Sequence, residues 1–152
     1  MKIALTILLV LVLAGSGYFY YLGKVSRKGN SPGLVSQKLA PCASELNCVC
    51  TEYAPADAWH IPPIQISNAD SELVSALHAV IEEMGGAVQS VHGSYIAATF
   101  ESAIFGFVDD FEVRVDETSN LVHVRSASRV GRSDLGANRK RVVRFTELAS
   151  RS

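Results

Sequence analysis

A stretch of 20 residues without a charged side chain, Ile3 to Leu22, constrains the fold of this chain more than any other feature. As a helix it would be about 30 Å long, which is the thickness of the hydrocarbon core of a bilayer. The sequence therefore predicts an N-terminal membrane-spanning helix in residues 1–23. The alternative is a cleaved signal peptide, with Ala14 and Ser16 as the small residues before the cleavage site. We favour the anchor because the apolar run continues through the aromatic residues 18–21, which suit a membrane interface.

The rest of the chain divides into a linker and one folded domain. Residues 24–38 are rich in Lys, Ser, Gly and Asn, a composition typical of a linker. Residues 39–152 predict a single domain. Its first part, residues 39–63, contains four prolines, which exclude a long regular element there.

Hydrophobic periodicity predicts an α+β fold for this domain. One helix is predicted between Ser67 and Met84, with Ser67 and Asp70 as a capping pair and Ala69 at the start of its apolar stripe. A second helix is predicted from about Asp134 to Ala149. Strands are predicted at residues 64–67, 87–92, 95–102, 105–116 and 121–130. This order predicts an antiparallel sheet of about four strands, with two helices packed on one face, behind the N-terminal transmembrane helix.

Charge is distributed unevenly along the domain. Residues 39–113 contain eleven acidic residues and no Lys or Arg, whereas residues 125–144, the basic segment, contain seven cations and one acid. Six of the seven cations are Arg, whose guanidinium binds a carboxylate or phosphate through two hydrogen bonds. The basic segment therefore either neutralises the acidic part of its own domain or binds an anionic partner, and the sequence leaves both open.

Two polar residues fall on faces that are otherwise apolar. Asp109 shares a strand face with Phe111 and Val113, and Asn138 shares a helix face with Leu135. A buried carboxylate is unfavourable unless it is paired. We therefore predict that Asp109 pairs with one Arg of the basic segment and that Asn138 caps or bridges backbone groups.

The arginines also form a candidate anion-binding site. Arg125 and Arg129 lie four residues apart on one predicted strand, so their side chains point the same way. Arg132 follows, beside the backbone N–H groups that open the last helix. The candidate ligand-binding residues are Arg125, Arg129, Arg132, Arg139 and Arg141. The residues expected to organise the site are Asp109, Asn138 and Asp134. The alternative is a solvated basic face near acidic neighbours.

The cysteines are informative about the cellular compartment of the folded domain. Cys42 and Cys48 enclose five residues, an easy span for a disulfide loop that would stabilise the fold by roughly 2 kcal/mol. Disulfides persist outside the cytosol, so this loop favours an extracytoplasmic domain, whereas the Lys and Arg count around the span favours the cytoplasm. Cys50 makes the count odd and leaves one thiol free or intermolecular. The alternative is three reduced thiols.

Catalysis, metal binding and nucleic-acid binding have little support in the sequence. The four His residues are scattered, without a His-x-x-x-His or Gly-x-Ser-x-Gly motif. Asp109 and Asp110 are adjacent on a predicted strand and point to opposite faces, so they cannot simply share a metal ion. The basic segment matches no recognised nucleic-acid-binding motif. We therefore expect no metal, no cofactor and no nucleic-acid partner.

Three segments of the domain carry a family resemblance. They read PCASELNCV (residues 41–49), FGFVDD (105–110) and RSASRVGRSDLGANRKR (125–141). Together they resemble the Domain of Unknown Function 1499 family over about residues 39–148. The family pattern has two Cys in the first segment, matched by Cys42 and Cys48, and usually a Ser at the position of Cys50, which implies that Cys50 is the unpaired thiol.

The resemblance also bears on location and activity. Members of the family resemble secreted or membrane-anchored bacterial proteins, with relatives in plastids, which implies an extracytoplasmic domain here. The family has no established activity, so the resemblance implies no catalytic residues.

These patterns predict a single-pass membrane protein whose folded domain is periplasmic, or is released to the periplasm if the N-terminal segment is cleaved. The leading functional hypothesis is a non-enzymatic binding or scaffolding module of the cell envelope. Its partner would be an anionic lipid, an envelope polymer or an acidic protein. One alternative is an enzyme acting on an anionic envelope substrate, with Asp109 or Asp110 as acid/base. Another is a structural subunit of a membrane complex.

Overall fold

The computed structural model describes residues 1–43, 46–53, 58–67 and 71–151. The helices are α1 (Lys2–Ser26), α2 (Ser71–Glu83) and α3 (Ala137–Ala149). The strands are β1 (Leu34–Val35), β2 (Lys38–Leu39), β3 (Cys48–Cys50), β4 (Ile64–Gln65), β5 (Ala87–His92), β6 (Tyr95–Glu101), β7 (Val108–Asp116) and β8 (Leu121–Ser128). The chain is therefore α+β, as the periodicity predicts.

The main sheet is antiparallel and has six strands. Five of them follow the order β3-β8-β7-β6-β5, and β4 pairs with the start of β8, whereas β3 pairs with its later residues. The predicted strand segments correspond to β4, at residues 64–65, and to β5 to β8, which alternate apolar and polar residues. They did not include β3, because a strand of three residues that carries two cysteines has no visible period. The short strands β1 and β2 form a separate hairpin.

The main hydrophobic core lies between one face of this sheet and the two helices α2 and α3, as predicted. Phe111 of β7 lies at its centre, with its ring 5.3 Å from that of Phe100 and 5.1 Å from that of Phe145. Leu77, Val80 and Ile81 of α2 pack against the same core. Asp70 of the predicted capping pair and Ala69 of the predicted apolar stripe lie outside the described residues.

Helix α3 begins three residues later than predicted, at Ala137. The Asp134 carboxylate accepts hydrogen bonds from the backbone N–H groups of Gly136 and Asn138. Gly136 has a φ of 81°, a left-handed conformation that cannot continue a helix. The placement of Leu135 on the buried helix stripe is therefore wrong, and Leu135 is exposed in the turn before the helix.

The opposite face of the sheet is covered by residues 27–40, which we call the strap. Leu39 of the strap is buried in a second, smaller apolar cluster with Cys50, Tyr95 and Ala97. The predicted linker thus contains the last residues of α1, hairpin strand β1 and the start of β2.

Helix α1 is long and apolar enough to cross a bilayer, and nearly all of residues 2–21 are exposed. Its last turns contact the domain. Ser26 is buried, and its Oγ accepts a hydrogen bond from the backbone N–H of Val108, the first residue of β7. The sheet and α1 are therefore joined by direct contacts as well as by the chain.

Candidate functional site

The sheet face under the strap, which we call the charged face, carries three buried ion pairs. Arg129 of β8 pairs with Asp110 of β7 at 2.7 Å between Nη2 and Oδ1. Arg125 Nη1 lies 2.8 Å from Glu112 Oε2, directly across the strand pair. The third pair joins Arg114 of β7 to Glu52, which follows β3.

Glu112 is the most enclosed member of the charged face, with a side chain that is fully buried. It accepts hydrogen bonds from the hydroxyl of Tyr95 (2.7 Å) and from the backbone N–H of Gly33 (3.1 Å). Burial raises the pKa of Glu112 above its ordinary value, although the bonds from Tyr95 and Arg125 act in the opposite direction. Burial, together with the bond to Glu112, also raises the pKa of Tyr95.

The strap is held to the charged face by polar contacts. Ser31 Oγ donates to Asp110 at 2.8 Å, and Gly33 N–H donates to Glu112. At the far end of the strap, the backbone N–H of Leu39 donates to Glu52. Each acidic residue of the three ion pairs therefore also fixes one point of the strap.

A pocket of about 480 Å³ opens beside these contacts, between the strap and strands β5 and β6. Its lining residues are Arg27, Gly29, Asn30, Ser31, Gly33, Gln89, Ser90, Tyr95, Ala97, Thr99, Val108 and Arg129. The lining contains two guanidiniums, several hydroxyls and two side-chain amides, and none of these described residues is acidic. Such a surface suits an anionic ligand that also accepts hydrogen bonds.

A β-bulge in β5 shapes this pocket. The pairing of β5 with β6 shifts by one residue between Val88 and Ser90, so the neighbouring Gln89 and Ser90 both line the pocket. In a regular strand, adjacent side chains point to opposite faces. The bulge therefore redirects one polar side chain into the pocket, a common use of bulges beside binding sites.

A second polar cluster lies on the helix-covered side of the sheet. Asp109 pairs with Arg141 of α3 at 3.0 Å between Oδ2 and Nη2, which confirms the predicted partner type. Asn138 is fully buried and its amide donates to the carbonyl oxygen of Asn47 and to Ser128 Oγ. Its oxygen accepts from Ser126 Oγ. Asn138 was predicted to cap or bridge backbone groups, and its side chain bonds one backbone group, at Asn47, while its other partners are side chains. The cluster links α3 to β8 and to the loop before β3.

The five candidate arginines are distributed over both sides of the sheet. Arg125 and Arg129 point the same way, as predicted, but into the charged face. Arg141 lies on the helix-covered side. Arg139 donates to the backbone carbonyl groups of Ala58 and His60, and Arg132 lies exposed in the loop before α3.

Sequence reasoning missed Glu112 and Asp110, the acidic partners of Arg125 and Arg129. The alternation of Asp110, Glu112 and Arg114 on one face of β7 was visible, and it was the available signal for a charged face. Glu52 carried no such signal, because it lies in a stretch without periodicity.

The cysteines of this region are structural in their contacts. Cys42 and Cys48 form a disulfide with 5.7 Å between their Cα atoms, as predicted, and Cys50 is a buried free thiol. Burial raises the pKa of Cys50 to about 11, which keeps it protonated and unreactive. Within the described residues, no group of three or more His, Cys, Asp or Glu side chains is placed to hold a metal ion.

Comparison with known families gives one match. A family model described as a protein of unknown function, DUF1499, matches residues 38–148, which include both polar clusters and every described strand except β1. No curated protein matches the chain.

Proposed function

The chain belongs to the DUF1499 family, and we propose that this member is a membrane-anchored, extracytoplasmic binding module for an anionic ligand of the cell envelope. The ligand would occupy the pocket between the strap and strands β5 and β6. The observation that carries the proposal is the pocket lining, which presents Arg27 and Arg129 among hydroxyl and amide groups.

The location is supported by two features of the molecule. Helix α1 has the length and apolar surface of a membrane span. The disulfide between Cys42 and Cys48 is expected in an oxidising compartment. An uncleaved α1 would then tether the pocket close to the membrane surface.

The guanidinium of Arg129 is positioned before any ligand arrives. Its Nε and Nη2 donate to Asp110, and its Nη1 donates to the carbonyl oxygen of Ser26 at the end of α1. A guanidinium has five N–H donors, so these bonds leave donors for a ligand. A fixed donor loses less entropy on binding than a mobile one.

The alternative of a structural subunit also has a specific observation behind it. Three of the candidate arginines, Arg125, Arg129 and Arg141, are engaged in ion pairs within the domain. In that case the charges stabilise the fold, and the partner would be another protein of a membrane complex.

Native mass spectrometry of the full chain, extracted in mild detergent from its own membranes, tests the proposal. Ser90→Trp fills the pocket from the edge strand, whereas Val91→Trp places the same bulk on the neighbouring exposed residue outside the pocket lining. We expect a bound anionic species on the wild type and on Val91→Trp, and its loss from Ser90→Trp.

Two results would contradict the binding proposal. One is a wild-type chain that carries no small anionic species. The other is a species that stays bound to Ser90→Trp at the wild-type level. A co-purifying protein that is retained by both variants would favour the structural subunit instead.

A further inference from the structure

One end of the sheet lies beside the C-terminal end of α1. Because the strands are antiparallel, the end of β6, the start of β7 and the end of β8 share this edge. The loops that leave it are residues 102–107 and residues 129–136. We call these two loops the rim. The turns at residues 93–94 and 117–120 lie at the opposite end of the sheet.

Aromatic contacts fix the level of the rim along α1. The ring of Phe19 lies 5.4 Å from that of Phe105 and 6.4 Å from that of Phe107. Phe19 belongs to the uncharged run and precedes its last residue, Leu22, by three positions, or about 4.5 Å of helix. The rim therefore lies level with the last turn of the apolar run, where a spanning helix meets the headgroups.

The rim exposes two large aliphatic side chains to solvent. Ile104 is 83% exposed and Leu135 is 90% exposed, more than any other described large hydrophobic residue that follows α1 in the sequence. The two side chains come from different loops at the same end of the molecule. An exposed apolar pair beside a membrane span fits insertion into the interface.

The backbone conformation at Leu135 directs its side chain toward solvent. Its φ is 54°, a left-handed conformation that is unfavourable for a side chain of this size. The conformation is held by hydrogen bonds from Leu135 N–H to Ser133 Oγ and from Gly136 N–H to Asp134. The leucine is therefore fixed in an exposed position and does not fold back onto the core.

A cleft of about 330 Å³ connects the exposed leucine to α1. Phe19 and Leu22 of α1 line it together with Leu135, Phe107 and Val130, and the charged residues in its lining are Asp109, Arg132 and Asp134. The apolar surface of α1 thus continues across the cleft onto the rim. This continuity matches a bilayer surface, which would already surround α1.

Positive charge lies beside this apolar surface. Arg132 is exposed in the same loop as Leu135 and forms no ion pair with any described residue. Lys24 and Lys28 lie at the end of α1. Arg and Lys at this depth favour lipid phosphates.

We infer that the rim rests on the bilayer in which α1 is embedded, with Ile104 and Leu135 inserted into the interface and Arg132 on lipid phosphates. This inference rests on the membrane anchor of the proposed function. The domain is then held against the membrane by these three rim residues in addition to α1, and its pocket opens at a fixed height above the lipid.

Depth-dependent fluorescence quenching tests this arrangement. The full chain carries one tryptophan, so Trp59→Phe provides a background for single tryptophans at Ile104→Trp and Leu135→Trp. The protein is reconstituted into vesicles of phosphatidylcholine and phosphatidylglycerol whose acyl chains are brominated. Tyr20→Trp reports on α1 itself, and Val91→Trp, near the opposite end of the sheet, is the matched control.

We expect strong quenching at Tyr20→Trp, Ile104→Trp and Leu135→Trp and little at Val91→Trp. Adding Arg132→Glu should lower the quenching of Leu135→Trp. Quenching at Tyr20→Trp alone would overturn the rim contact and leave the anchor in place. Absence of quenching at all four positions would overturn the anchor and the rim together, whereas the ligand pocket is tested separately by Ser90→Trp.

Discussion

At the scale of single residues, Arg125 and Glu112 show how a charged pair can be enclosed within a small domain. Both side chains are almost fully buried, and the carboxylate also accepts from Tyr95 and from the Gly33 backbone. Removing one charge of such a pair leaves the other uncompensated, which costs about 3–5 kcal/mol. We therefore expect Arg125→Met to lower the free energy of unfolding by that amount at neutral pH, measured by urea denaturation in detergent with Trp59 fluorescence.

The loss of stability in Arg125→Met should become smaller as the pH is lowered. Burial raises the folded-state pKa of Glu112 above that of the unfolded chain, and removal of Arg125 raises it further. A raised carboxyl pKa means that the folded state binds the extra proton, so the contribution of Glu112 to stability is largest at low pH and decreases as the pH rises through its folded-state pKa. The difference between Arg125→Met and wild type should therefore shrink from pH 8 to pH 5.

Arg27→Met is the matched control for this prediction. Arg27 pairs with Glu101, and both side chains are about half exposed. Exposed pairs contribute at most about 1 kcal/mol, so this variant should lose little stability at either pH. Equal losses in the two variants, or a loss in Arg125→Met that does not change with pH, would contradict the role given to the buried pair.

The sequence predicted single residues well where a regular period fixed their direction. Asp109 was expected to pair with an arginine because the period of β7 places it on the core face, and Arg141 is that partner. Leu135 was misplaced because its position depends on the side-chain cap at Asp134 and the φ of Gly136. Such local hydrogen bonds override helical spacing, and the hydrophobic pattern does not record them.

At the scale of elements, the strap is the segment whose packing against the domain could not be predicted from its composition. Its Gly, Ser and Lys content is that of a linker, yet its backbone and Ser31 donate to three carboxylates of the domain. Because these acceptors lie far away in the sequence, no local pattern reveals them. The long strands β5 to β8 were predictable for the opposite reason, since each has its own period of two.

The hairpin within the strap allows a matched test of this packing. Leu34 and Leu39 face each other in the register of β1 and β2, but Leu39 is fully buried whereas Leu34 is 39% exposed. Replacing a buried Leu by Ala costs about 2–5 kcal/mol. We expect Leu39→Ala to lower the free energy of unfolding by this amount and Leu34→Ala to lower it by less than about 1 kcal/mol.

Urea denaturation of the full chain measures both variants. Trp59 is a suitable reporter because its ring packs against Tyr53, beside the apolar cluster that contains Leu39. If Leu39→Ala were as stable as Leu34→Ala, the strap would be a tether that only lies against the sheet.

At the scale of the whole molecule, the relation between the anchor and the domain depends on a close approach at Gly23. A Cβ atom at Gly23 would collide with the backbone carbonyl of Phe105, whereas a Cβ at Gly17 would meet no neighbouring atom. The sequence shows both as glycines of one apolar helix and does not distinguish them. Only the folded chain shows that one of them permits the docking of α1 onto the rim.

Gly23→Ala should therefore separate α1 from the domain, and Gly17→Ala should not. The buried amide of Val108 reports the separation, because it donates to Ser26 Oγ in the last turn of α1 at 3.0 Å. Separation removes this bond, whose net contribution is about 0.5–1.5 kcal/mol, and exposes the amide to water, so hydrogen exchange at Val108 should accelerate by about two- to tenfold. Since alanine favours a helix over glycine, Gly17→Ala should leave the exchange of Val108 unchanged.

Unaltered exchange at Val108 in Gly23→Ala would mean that the anchor and the domain are joined by the chain alone, and the pocket would then have no fixed height above the membrane.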